Sequence, residues 1–173
     1  MLENVSKAIT TLNRKAGEIS SLLMIPLLAV VVYEVFMRYA FNAPTIWGFE
    51  VTSFLYGLHF MLGYSYCDCL NGHVRIDVMT MRMSPKAKAV MEVITLLILF
   101  FPFLTFMTIY AGKFAYIATL QNEFNSTSWA PRIWPIKILM TLGFFLLWLQ
   151  GIANLINNVN IVFGKTADAK QEG

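Results

Sequence analysis

The sequence predicts an all-α membrane protein: four transmembrane helices, an N-terminal amphipathic helix at the membrane interface, and both termini in the cytoplasm. Three observations predict it. The chain of 173 residues is 57% hydrophobic and 13% charged, far from the roughly one-quarter charge of soluble domains. Four apolar stretches, residues 19–41, 51–70, 89–116 and 133–156, each approach or exceed the roughly 20 residues that a helix needs to cross about 30 Å of hydrocarbon. The basic residues of the connections are unevenly shared between the two sides. Helices rather than barrel strands follow because backbone groups in lipid must be satisfied within the segment, and no ten-residue alternation is present. The chain reads as one membrane domain, residues 1–173, without internal repeats.

Residues 2–17 place Leu2, Val5, Ile9, Leu12 and Ala16 at spacings of three and four, with Lys7, Arg14 and Lys15 off that stripe. This is an amphipathic helix, expected to lie in the cytoplasmic interface against membrane lipid, with packing on a partner protein as the competing use. The stretch 19–41 is too long for a signal peptide and lacks a small-residue cleavage site, so it reads as a retained span. A periplasmic connection follows, in which Pro44 and Gly48 interrupt the helix and Tyr39 and Trp47 suit the headgroup level. After the span 51–70, the segment 71–85 is semi-apolar and ends in Ser84 and Pro85, an N-cap and first-turn pair that opens the third helix. The third span contains Pro102 and should kink or tilt. The next connection is polar and then aromatic, with Trp129 and Trp134 bracketing the interface before the fourth span. Residues 158–173 read as a polar tail, expected to be disordered.

Orientation follows from the short loops. Lys7, Arg14, Lys15, Arg75, Arg82, Lys86, Lys88, Lys165 and Lys170 fall on one side, against Arg38, Lys113, Arg132 and Lys137 on the other. The richer side is expected to be cytoplasmic. The net charge of +3 is thereby accounted for by topology, and no basic run interleaved with aromatics suggests nucleic acid.

Little here suggests an enzyme. Cys67 and Cys69 point to different helix faces on the expected reducing side and read as packing residues rather than a disulfide or a metal site. His59 and His73 would stand about 21 Å apart along a straight helix and cannot clamp one haem. A hydrogen-bonded packing role suits His59. No nucleophile set or phosphate loop is present, and no cofactor site is expected in this chain. Charges within spans are candidates for function because each is costly in lipid unless paired or wet. Glu34 and Arg38, one turn apart, are expected to pair; Glu50 opens the second span, where a carboxylate complements the helix dipole. Glu92 and Lys113, near opposite ends of the third span, can snorkel.

Two segments then carry a resemblance. Arg38, Tyr39, Phe41 and Asn42, followed by Pro44, Thr45, Trp47 and Glu50, resemble the block that closes the first helix in the small membrane subunit of tripartite ATP-independent periplasmic (TRAP) transporters. Gly72, His73, Arg75 and Asp77 resemble that family's second signature. Size, span number and the approach from Ser126 to Trp134 agree. The resemblance implies a non-catalytic subunit in a bacterial inner membrane. Its partners would be a large membrane subunit, expected to hold the substrate and sodium sites, and a periplasmic binding protein for an organic anion, usually a carboxylate. Arg38, Asn42, Trp47 and Glu50 would form a periplasmic corner, and His73, Arg75 and Asp77 a cytoplasmic one, each serving either subunit contact or internal bracing. Two rival readings remain open at this point. One is a self-contained proton-coupled exporter working as a dimer through Glu34. The other is a redox membrane anchor.

Overall fold

The computed structural model describes residues 2–70 and 83–163. All regular elements among them are helical: α1 (Leu2–Ser21), α2 (Met24–Ala40), α3 (Gly48–Cys69), α4 (Pro85–Thr95), a π-helical turn (Leu96–Phe100), α5 (Phe101–Leu120) and α6 (Trp134–Val162). α1 and α2 follow one another through a tight turn at Leu22 and Leu23. Pro26 explains it: with no N–H to offer, it leaves the Leu22 carbonyl to Ile25 N at 3.2 Å. Ser84 caps α4, accepting from Ala87 N at 3.3 Å with Pro85 in the first turn, as expected. In the third span, the irregularity expected at Pro102 takes the form of the π turn just before it, where Phe101 N reaches five residues back to the Leu96 carbonyl. Pro102 donates nothing, so the ladder changes register there.

Three helical stretches are long and apolar enough to cross a membrane: Glu3–Ala40, Pro85–Leu120 and Trp134–Val162. α3, with 22 residues, is long enough at about 33 Å, but Glu50, His59, Ser65 and Asp68 make it more polar than the sequence reading allowed for. α6 also differs from expectation at its end. It continues through Asn157 and Asn158 to Val162, because Asn157 bonds to α1 and Asn158 is buried. Residues 164–173, the rest of the expected tail, lie outside the described residues.

What is buried identifies the solvent. Among the described residues the buried apolar ones are five alanines with Leu104 and Leu146, while Ser6, Asn13, Ser20, Glu50, Ser65, Lys137, Gln150 and Asn158 are also buried. Large apolar side chains such as Ile25, Leu28, Phe36, Ile98, Phe103 and Phe106 face outward. A soluble protein sorts its side chains the other way. Small and polar contacts inside with large apolar groups outside is the arrangement of helices packed in lipid.

The helices meet in a row. α2 packs on α3, α3 on α6, and α6 on α5. α2 has no buried residue. α1 lies across the other end of this row, against α3 and α6, and α4 lies against α6. Met61 meets Gly143 and Asp68 meets Asn154, so α3 and α6 run parallel. Ser6 meets Asn157 and Asn13 meets Gln150, so α1 runs antiparallel to α6. The connection 41–47 and the loop 121–133 consequently share one end of the row.

Candidate functional site

The corner at that end is built around Glu34. Helical spacing places Arg38 one turn on, and its Nη2 donates to Glu34 Oε1 at 2.8 Å. The chain then leaves α2 through Asn42, whose φ of 51° is a left-handed conformation that asparagine tolerates, while Ala43 N reaches back to the Met37 carbonyl at 3.1 Å. This reversal brings Thr45 against Glu34. Both Thr45 N, at 3.2 Å, and Thr45 Oγ1 donate to Glu34 Oε2. Gly48 N in turn donates to Thr45 Oγ1 at 3.1 Å, which starts α3. A Cβ on Gly48 would stand 2.6 Å from both Glu34 Oε2 and Thr45 Oγ1, so the corner requires glycine there. Trp47 stacks on Tyr33 with ring centroids 5.8 Å apart.

Among the residues expected at this corner, Arg38 joins through Glu34, Trp47 through Tyr33, and Asn42 through its backbone. Glu50 stands apart. It is buried, and its Oε2 has no hydrogen-bond partner among the described residues. Glu34 is not the unpaired carboxylate of the exporter reading, since both its oxygens are engaged. The second expected corner, His73, Arg75 and Asp77, lies outside the described residues.

A second polar assembly joins α1, α3 and α6. Asn13, fully buried, donates through Nδ2 to Gln150 Oε1 at 2.8 Å and to the Leu146 carbonyl at 3.2 Å. Gln150 Nε2 donates to Asn154 Oδ1 at 3.3 Å, and Asn154 Nδ2 to Asp68 Oδ2 at 2.7 Å. Ser6 Oγ donates to Asn157 Oδ1 at 2.9 Å, and His59 Nδ1 lies 3.0 Å from the Ser20 carbonyl, the packing role expected of it. α1 thus turns its polar and small residues inward, with Gly17 against the Tyr66 ring, and leaves Val5, Leu12 and Ile19 exposed. The outward apolar stripe agrees with the lipid-facing placement expected of it, whereas the polar seam on the opposite face was not expected from the sequence. Its signal was the seven-residue spacing of Ser6, Asn13 and Ser20, matched by Gln150, Asn154 and Asn157 on α6.

The third assembly, also missed, closes the loop 121–133. Lys137, buried in the first turn of α6, donates to Glu123 Oε2 at 2.5 Å, with its ammonium 3.6 Å from the centre of the Phe114 ring. Ile133 N returns to the Glu123 carbonyl at 3.0 Å.

These polar groups join helix to helix or loop to helix, and among the described residues no three of His, Cys, Asp and Glu converge to hold a metal ion. Fold and sites together define a multi-pass helical membrane protein in which buried polar side chains brace the packing. The profile of one protein family matches residues 27–160: tripartite ATP-independent periplasmic transporters, DctQ component. The chain belongs to this family, whose members are small, non-catalytic membrane subunits of TRAP transporters. Membership implies the large DctM subunit and a periplasmic binding protein as partners. No curated protein matched the chain in a sequence comparison.

Proposed function

We propose that this chain is a scaffold: it packs on the large membrane subunit and helps dock the periplasmic binding protein during sodium-coupled uptake of an organic anion, a carboxylate in the usual case for this family. The observation that carries the reading is the row of helices. A layer in which α2, α3, α6 and α5 pack chiefly on their neighbours in the row offers no enclosed interior among the described residues, and most of its buried polar side chains are engaged in helix and loop contacts. Substrate and sodium sites then belong to the large subunit. In this reading α3 is a fourth crossing, made tolerable in lipid by the partners its polar residues find, and both termini are cytoplasmic in the bacterial inner membrane. The nine-to-four division of basic residues supports that orientation. Arg38, Asn42, Trp47 and Glu50 then stand at the periplasmic end, where the corner holds the α2–α3 hairpin rigid for subunit contact. His73, Arg75 and Asp77 serve the cytoplasmic end.

Reconstitution tests this. Vesicles that contain the large subunit, this chain and the binding protein should accumulate substrate under a sodium gradient, and vesicles with this chain alone should accumulate none. Uptake at full rate without this chain would refute the scaffold role. Proton-coupled transport by this chain alone would establish the exporter reading in its place.

A further inference from the structure

We infer that the loop 121–133 is a preformed docking crest for the periplasmic binding protein, with Trp129 and Arg132 as its principal contacts. The inference rests on the scaffold reading and on the orientation that places this end of the row in the periplasm. Packed helices are joined by roughly 2–8 residues; this connection is longer and has its own structure. Phe124 and Arg132 form an antiparallel bridge, Asn125 N donates to the Pro131 carbonyl at 2.8 Å, and Ala130 N to the Thr127 carbonyl at 3.1 Å. The Glu123 to Lys137 pair ties its base to α6. Ala130 is held at φ 47°, a left-handed conformation that a non-glycine residue keeps only where its surroundings impose it, and such residues gather at functional sites.

The outward side chains suit a protein partner. Phe124 is 52% and Trp129 40% exposed, and the Arg132 guanidinium is set over the Phe124 ring at 5.8 Å. Tryptophan and arginine are the residues most often dominant in protein interfaces, and a guanidinium already ordered by stacking loses less freedom on binding a carboxylate. Between these groups the crest carries Asn125, Ser126, Thr127 and Ser128, which need water or a polar surface and have no place in hydrocarbon. The partner that fits is a folded, water-soluble protein that offers a carboxylate beside a small apolar patch.

The test uses the complete membrane complex in lipid nanodiscs and its own binding protein, with Kd read by surface binding. Trp129→Ala and Arg132→Glu should each weaken binding at least tenfold while the large subunit still co-purifies. As a variant that folds before it is perturbed, Ser126→Cys in a Cys67→Ser, Cys69→Ser background, coupled to a bulky maleimide after assembly, should do the same. Unchanged Kd in all three overturns the inference and leaves the scaffold reading intact. A lower melting temperature in nanodiscs but not in detergent, with Kd unchanged, also overturns it and assigns the loop to lipid. Failure of the unaltered chain to hold the large subunit instead refutes the scaffold reading.

Discussion

Replacing Asn13 by leucine removes the amide that ties α1 to α6 and strands the Gln150 Oε1 acceptor, which is held in a residue only 1% exposed. A polar contact between membrane helices contributes about 0.6 kcal/mol on average and up to roughly 1.7. A buried acceptor left without its donor costs about 1–3 kcal/mol. The weaker contact to the Leu146 carbonyl, at 3.2 Å, adds little, and loss of the unpartnered Asn13 Oδ1 returns part of the cost. The net expectation is a destabilisation of about 2 kcal/mol. Gln150→Leu should cost a similar amount, since it leaves Asn13 Nδ2 with only the 3.2 Å contact to the Leu146 carbonyl and takes the donor from Asn154 Oδ1. The double replacement leaves neither group behind, so its cost should fall below the sum of the two by at least about 1 kcal/mol. Equilibrium unfolding of the purified chain in mixed micelles measures all three, and amide exchange should rise along α1 but not α2 in each single variant. Costs that add to within about 0.5 kcal/mol would refute the seam as the attachment of α1.

Gly17→Ala would drive a Cβ to 2.3 Å from Tyr66 Cβ and Cγ, so unfolding measurements should show a loss of about 1–3 kcal/mol. Gly57→Ala, which meets no atom within 4 Å, should instead gain up to about 1 kcal/mol. Glu123→Leu leaves the buried Lys137 ammonium without its carboxylate and against the Phe114 ring. Lys137→Met removes the charge and keeps the packing, so the first should destabilise by about 1–2 kcal/mol more than the second in the same assay. Gly48→Ala and Thr45→Val both dislodge the contact between Thr45 and Glu34, and each should reduce the yield of assembled complex in a pull-down with the large subunit.

Local chemistry was legible in the sequence. Ser84 and Pro85 start α4 through their own backbone neighbours, and the pairing of Glu34 with Arg38 needs only helical periodicity. The role of Thr45 depended on the path of the turn through Asn42, and that of Glu123 on a loop closing onto Lys137 fourteen residues away; neither distance is set by local spacing. The apolar stripe of α1 faces outward, as a helix lying against lipid should, but its packing face went unread for a solvent reason. An apolar stripe marks the packing face in water, but in lipid it has no advantage there, and small or polar residues such as Asn13, Gly17 and Ser20 take the contact. The extension of α6 went unread for the same reason, since Asn157 bonds to Ser6 of α1 and Asn158 is buried rather than starting a polar tail.

The central claim is that this chain works only as part of a larger transporter. Size-exclusion chromatography of an affinity-tagged copy, extracted from its native membrane in mild detergent, tests it most directly. The large TRAP subunit should elute with it in fixed stoichiometry. Elution of the tagged chain alone, folded and in full yield, would contradict it.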